Sequence, residues 1–346
     1  MTAVEAVRGA ADPLLSVRDL KVHFRMPRRH LLATHRDTLK AVDGVTFDLA
    51  PGETLGVVGE SGCGKSTLGR AILRLIPTTS GQVLWLGEDL RAAPPARMRQ
   101  HRRNMQVIFQ DPLASLDPRM TVGDIIAEPL RTFHGALSRD EVRQRVGDLM
   151  RTVGLMPEMI NRYPHEFSGG QCQRIGIARA MILNPKLVIC DEPVSALDVS
   201  IQSQIINLLM DLQKEFGLSL IFISHDLSVV RHISHRIMVL YMGKLVEMAP
   251  SDALYDSPRH PYTQALISAV PLPDPDAERA KARIVLEGDL PSPLHPPSGC
   301  IFRTRCPKAA ERCAEVVPEL QAVAPAHRAA CHYWDTPTPV RSTGPE

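Results

Sequence analysis

The run Gly59-Glu60-Ser61-Gly62-Cys63-Gly64-Lys65-Ser66 places glycines, a lysine and a hydroxyl at the spacing G-x-x-x-x-G-K-[ST]. Glycine lets backbone N–H groups turn inward around a phosphate with no Cβ in the way. Lys65 and Ser66 are the residue types that reach β/γ-phosphates and a magnesium ion. Asp191 and Glu192 form a second set, at the end of the apolar run Leu187-Val188-Ile189-Cys190. Asp191 is placed to hold Mg2+, and Glu192 to polarise the water that attacks a γ-phosphorus.

Both sets need particular elements behind them. Thr54–Val58 reads as a short buried strand leading into the phosphate loop. Residues 68–76 read as a helix whose positive N-terminal end faces the phosphate. The run 187–190 reads as a buried parallel strand that opens into a site at its carboxyl end. A further cradle, Ser168-Gly169-Gly170, opens another helix. One nucleotide does not need two phosphate cradles from one chain.

Phe167-Ser168-Gly169-Gly170-Gln171, followed by 173–180, resembles the signature motif of ABC ATPases, usually Leu-Ser-Gly-Gly-Gln; here Phe takes the first place. Gln110 after Val107-Ile108-Phe109 matches the Q-loop glutamine of that family. Ser195-Ala196-Leu197-Asp198 matches its D-loop, and His225 after 220–224 its switch histidine. The resemblance covers residues 14–335. It implies that Gly59, Ser61, Gly62, Cys63, Gly64, Lys65, Ser66 and Thr67 hold ATP. It implies also that Ser168, Gly169, Gly170, Gln171 and Asp198 close over the ATP of a partner subunit. Ser66, Gln110 and Asp191 would then hold Mg2+, with Glu192, His225 and Gln110 carrying hydrolysis. Phe24 matches the place where the family stacks an aromatic ring on adenine; a strand residue facing the core is the alternative.

Segments 111–119, 193–200, 260–266 and 296–300 narrow the resemblance to the oligopeptide/dipeptide importers, and 170–175 is similar to their F-type ATPase subunit. That branch implies a paralogous ATPase in a heterodimer, two transmembrane permease subunits and an extracytoplasmic peptide-binding protein. It implies a peripheral place on the cytoplasmic face of the inner (plasma) membrane. An importer of nickel or oligosaccharides is the near alternative. An ABC ATPase acting on DNA or the ribosome usually carries tandem cassettes, and a non-catalytic ATP-binding subunit would lack Glu192 or His225.

With 346 residues and 44% hydrophobic content, the chain can bury one sizeable core and a smaller appendage. No apolar run has transmembrane length and residues 1–13 lack a signal-peptide core, so a cytosolic protein is expected. A net charge of +2 is too small to point to nucleic acid, and the basic clusters 25–36 and 91–103 read as solvated faces. The expected fold is α/β: a P-loop ABC ATPase core with an antiparallel β-subdomain and a helical subdomain at about 111–185, plus a small cysteine-bearing extension. The expected boundaries are a flexible leader at 1–13, the nucleotide-binding domain at 14–265, the extension at 266–335 and a flexible tail at 336–346. Within the helical part, Ser138 and Glu141 have capping-box spacing, followed by Val142, Val146, Leu149, Met150 and Val153 at helical steps.

Of seven cysteines, Cys63, Cys172 and Cys190 lie inside nucleotide motifs. Cys63 is expected to react with bulky thiol reagents unless the loop buries it. Cys300, Cys306, Cys313 and Cys331 are spaced C-x5-C-x6-C-x17-C, without the close pairs of structural zinc sites. Disulfides are disfavoured in the cytosol. Four thiolates in a loop-rich segment, with Pro307 after Cys306, suit a [4Fe–4S] cluster. Arg303, Arg305, Lys308 and Arg312 lie among them to offset its charge. Some peptide-importer ATPases resemble this arrangement. Zinc, or plain reduced thiols, are the alternatives.

Overall fold

The computed structural model describes residues 12–26, 37–271, 274–281 and 283–336. Most of the leader (1–11), the basic insert 27–36 and the tail 337–346 lie outside the described residues. In chain order the first elements are β1 (Leu15–Arg25), β2 (Thr38–Leu49), β3 (Thr54–Val58), α1 (Lys65–Ile72), β4 (Ser80–Trp85), β5 (Glu88–Asp89), α2 (Pro95–Asn104) and β6 (Met105–Ile108). Next come α3 (Val122–Phe133), α4 (Arg139–Thr152), α5 (Gly169–Met181), β7 (Leu187–Asp191), α6 (Val199–Phe216) and β8 (Ser219–Ile223). The last are α7 (Leu227–Ile233), β9 (Arg236–Tyr241), β10 (Lys244–Pro250), α8 (Ser251–Asp256), α9 (Pro261–Ser268), α10 (Pro275–Ala280), α11 (Glu311–Glu315), β11 (Gln321–Ala324) and β12 (His327–Ala329).

Contacts divide the chain into two compact units, each built from separate stretches. One takes the chain up to Ser16, Asp48–Thr54 and Leu84–Ser224; the other takes Val17–Phe47, Leu55–Val83 and the chain from His225. In the first, β6, β7 and β8 lie parallel, with Met105 opposite Leu187 and Leu187 opposite Ser219. Strands β7 and β8 are buried at every position. A strand covered on both faces has no wet side, which is why Leu187–Cys190 shows no alternation.

The same unit holds α3, α4 and α5, the helical part expected at 111–185. The capping box forms as read: Ser138 Oγ accepts from Glu141 N at 3.3 Å, and Glu141 Oε2 accepts from Ser138 N at 2.8 Å. From that start Val146, Met150 and Val153 are buried. A groove of about 720 Å3 is lined here by Asp124, Arg131, Arg139, Asp140 and Arg143 among others.

In the second unit β2, β1 and β4 are neighbours in that order, and a second set runs β11-β12-β10-β9-β3. Strand β3 is parallel to β9, from Leu55 opposite Arg236 to Val58 opposite Val239. The β9–β10 hairpin turns on Met242 and Gly243, both at positive φ (45° and 77°), the conformation of a type I′ turn. The C-terminal extension supplies sheet here: β12 pairs antiparallel with β10, Glu247 opposite Ala329, and β11 pairs with β12.

Glu247 is fully buried, and a buried carboxylate is tolerable only when bonded. It accepts from the backbone N–H of Arg259 at 2.6 Å and of His260 at 2.9 Å, and pairs with His327 Nε2 at 2.7 Å. One side chain thus ties β10 to β12 and to the start of α9. Burial pulls the His260 pKa down to about 4. The neutral ring accepts from Tyr262 N through Nδ1 at 3.1 Å and caps α9. Among the described residues no helix is long and apolar enough to cross a membrane.

Candidate functional site

The phosphate loop lies in the second unit. Strand β3, buried throughout, delivers the chain to Gly59, and α1 starts at Lys65. Two glycines are sterically required. A Cβ on Gly59 (φ 151°) would stand 2.2 Å from Leu240 O, and one on Gly64 (φ 104°) 2.0 Å from Ala41 O. Cys63 O accepts from Gly243 N at 2.8 Å, so the β9–β10 turn also braces the loop. Lys65 is only 4% exposed, and its ammonium donates to Gly59 O at 2.7 Å and Glu60 O at 3.1 Å. The charge sits folded over the loop's own carbonyls. Ser66 and Thr67 are half-buried in the first turn of α1, while Ser61 and Gly62 are exposed.

Cys63 does not offer the reactive thiol expected of an exposed loop position. It is buried, and burial raises its pKa, which leaves little thiolate. Phe24 on β1 is 39% exposed, so it is not the core-facing strand residue that was its alternative. His225 is exposed, directly ahead of α7.

Asp191 and Glu192 lie in the first unit. Asp191 ends β7 at 3% exposure. Glu192 then takes φ 48°, a conformation that costs a non-glycine residue about 1–3 kcal/mol and that clusters at functional sites. The turn is held by Glu192 N donating to Ile223 O at 3.0 Å and by Ser195 Oγ donating to Glu192 O at 3.1 Å. The carboxylate, turned out of the strand, accepts from Gln110 Nε2 at 2.9 Å. The structure thus joins two residues that the sequence set 82 positions apart.

The signature segment opens α5 with a capping box. Ser168 Oγ accepts from Gln171 N at 3.3 Å, and Gln171 Oε1 accepts from Ser168 N at 2.9 Å. Ser168 and Gly169 are exposed, and Gly170 packs on α6, where a Cβ would meet Ile201 at 2.4 Å. Asp198 caps α6, accepting from Ile201 N at 3.0 Å and from Ser200 Oγ at 2.7 Å. These bonds, the one from Ile201 first, lower its pKa.

A family model described as ABC transporter matches residues 42–195, and one described as the C-terminal region of oligopeptide/dipeptide transporters matches 246–313. The oligopeptide transport ATP-binding protein OppF of Escherichia coli K12 is 61% identical over 92% of this chain and 96% of its own length. The chain belongs to the ATP-binding subunits of ABC transporters. OppF of Salmonella typhimurium LT2 is 63% identical over 89% of this chain and 92% of its own. The fold matches the dimeric cassette MJ0796 in a post-hydrolysis state bound to ADP and Pi, with TM-score 0.61 and 27% identity over 68% of this chain and 98% of that one.

In this ABC subunit Cys300, Cys313 and Cys331 are buried and Cys306 half-buried. Burial, and then the charges of the other cysteines, push the Cys300 pKa up to about 11 and that of Cys306 to about 12. Among the described residues no three His, Cys, Asp or Glu close in on a point that would hold a metal ion. Of the expected offsetting cations, Arg303 Nε donates to Ser298 O at 2.9 Å and Arg305 pairs with Glu60, while Lys308, whose Nζ donates to Tyr333 O at 3.2 Å, acts electrostatically on Cys306 and Cys331. Tyr262 and Arg305 both touch the phosphate loop; sequence reasoning gave Tyr262 no role and placed Arg305 only among the cations that offset the cysteines. Residues 260–266 stood out only as a mark of the importer branch, and nothing local connects residue 305 to residue 60.

Proposed function

We propose that this ABC subunit hydrolyses ATP to drive a bacterial importer of oligopeptides or dipeptides. The observation that carries the reading is the likeness to the OppF proteins along nearly the whole chain, C-terminal region included. ATP sits with its phosphates in the 59–67 loop, where Lys65 trades backbone carbonyls for phosphate oxygens. Phe24 is the exposed aromatic suited to adenine. Glu192, presented by its strained turn and oriented by Gln110, takes the proton of the attacking water. His225 assists at the γ-phosphate.

Ser66, Gln110 and Asp191 each offer an oxygen of the kind Mg2+ takes. Gln110 gives its nitrogen to Glu192, which leaves the amide oxygen as the end for the cation. The ion, when bound, neutralises charge on the β- and γ-phosphates. Ser168, Gly169, Gly170, Gln171 and Asp198 close over the nucleotide of a paralogous ATPase. The groove lined by Asp124, Arg131 and Arg143 receives one of two permease subunits at the cytoplasmic face of the membrane, and a peptide-binding protein feeds the complex. In proteoliposomes holding the permeases and binding protein, uptake of a labelled oligopeptide should require this chain together with a second, different ATPase. Full uptake with this chain as the only ATPase would remove the heterodimer. Uptake of nickel or an oligosaccharide instead of peptide would remove the substrate.

The four C-terminal cysteines fit a [4Fe–4S] cluster in type and number. All four are free thiols, three of them buried and Cys306 half-buried. A bound cluster would tie four points of the extension together. Anaerobically purified protein should be brown with about four iron and four labile sulfides per chain, both lost in Cys306→Ser. Colourless protein with stoichiometric zinc, or with no metal, would overturn this assignment.

A further inference from the structure

Arg305 forms a two-pronged bond to the phosphate loop across 245 residues of sequence. Its Nη1 donates to Glu60 Oε2 at 2.8 Å and its Nη2 to Glu60 Oε1 at 3.0 Å. Parallel double bonds of this kind fix orientation as well as distance. The side chains are 11% and 29% exposed, so solvent screens the pair less than it screens an open surface pair. The same residue is gripped through its backbone, since Glu60 N donates to the hydroxyl of fully buried Tyr262 at 2.8 Å.

Arg305 is itself held firmly. It ends the turn that begins at Cys300, with Arg303 N donating to Cys300 O at 3.1 Å and Arg305 N to Phe302 O at 3.0 Å. Phe302, at 1% exposure, packs edge-on against Tyr241 at 5.2 Å between ring centres and against Tyr262 at 5.5 Å. The turn is thus anchored by an aromatic cluster on one side and delivers a guanidinium on the other.

The electrostatics give the contact a purpose. Glu60 is a carboxylate inside the eight residues that cradle a polyanion, and its carbonyl is one of the two oxygens holding Lys65. Left bare, it would repel the incoming phosphates and compete for the Lys65 ammonium. We propose that Arg305 is a positioning residue for nucleotide binding: it neutralises Glu60 and holds the phosphate loop in its phosphate-accepting shape, which makes the cysteine-bearing extension a working part of the ATP site. The inference rests on the reading of residues 59–67 as the ATP loop.

The test is MgATP affinity of the full-length chain, read with a fluorescent ATP analogue alongside thermal unfolding. Arg305→Ala should raise Kd about tenfold, the scale of a lost charge-assisted bond, and Arg305→Lys, which keeps the charge without the fork, should fall between. Glu60→Gln alone should bind at least as tightly as the parent. Glu60→Gln combined with Arg305→Ala should return to within about twofold of the parent, because no bare carboxylate remains. In the assembled transporter, Arg305→Ala should raise KM for ATP and leave kcat in place. A contact that merely fastens the extension predicts the reverse: Glu60→Gln weakens binding, and the double variant stays as weak as Arg305→Ala. Either of those results, or parental affinity in Arg305→Ala, overturns the proposal. If Arg305→Ala fails to fold, Arg305→Lys and Glu60→Gln carry the same decision. Lys65→Ala runs in parallel; undiminished affinity there would sink the loop reading itself, separately from the role of Arg305.

Discussion

Glu192→Gln should reduce ATP turnover of the assembled transporter about 10²–10⁴-fold, the range for loss of a general base, while MgATP still binds. The amide preserves the shape of the carboxylate and can still meet Gln110, so the turn after β7 persists. It cannot accept a proton from water. The strained backbone at Glu192 adds a second expectation. Since φ 48° is costly for glutamate and glutamine alike, Glu192→Gly should stabilise the turn yet be as inactive as Glu192→Gln. ATP would then bind without being turned over, and closed dimers should accumulate. The partner ATPase has to be disabled in the same preparation, or its turnover masks the loss. Turnover of Glu192→Gln within about twofold of the parent, far from the expected loss, would remove Glu192 from the role of base.

Lys65→Ala should act one step earlier. The ammonium is buried and donates to the loop carbonyls of Gly59 and Glu60. Its removal takes away the point charge destined for the β/γ-phosphates. MgATP affinity should fall about ten- to a hundredfold, the scale for hydrogen bonds to a charged group. Because Lys65 also bridges Gly59 and Glu60, some loss should appear as a looser loop. Lys65→Met, which keeps the buried stem, separates that packing contribution from the charge. Calorimetry is the direct measurement, and an unchanged Kd would mean the loop does not bind phosphate.

Much of this was legible in the residues because the relevant signals are local. The octet 59–66 fixes its own turn, Ser138 and Glu141 announce a helix start three residues apart, and 187–191 declares its burial by having no polar side. The capping of α5 by Ser168 and Gln171 is local in the same sense. What stayed hidden depends on partners far away in sequence. Strand β12 is only three residues long, and its burial comes from pairing with β10, about eighty residues upstream at Glu247 and His327. The register that seats β12 is set by Glu247, whose need for donors shows only once its burial is known. Cys63 misled for the same reason: glycines on both sides suggest an open loop, yet Gly243 and Leu240 close over that stretch. The bond between Arg305 and Glu60 has no periodicity or motif at all; it follows from where Phe302 anchors its turn.

That bond also sets an order of events during synthesis. The chain emerges from the ribosome at about 5–20 residues per second, and domains tend to fold as they appear. Residue 60 is therefore made roughly ten to fifty seconds before residue 305. Through that interval the nascent loop has β3 but lacks the β9–β10 turn, then Tyr262, then Arg305, and it carries its carboxylate uncompensated. Nucleotide capture thus matures late, with the final part supplied after the cassette's last helices are complete. A ribosome-released fragment ending before the 300–306 turn would carry the octet without the grip that finishes it. Premature stop or proteolysis near the C-terminus would be read out at the opposite end of the chain, in the grip on ATP.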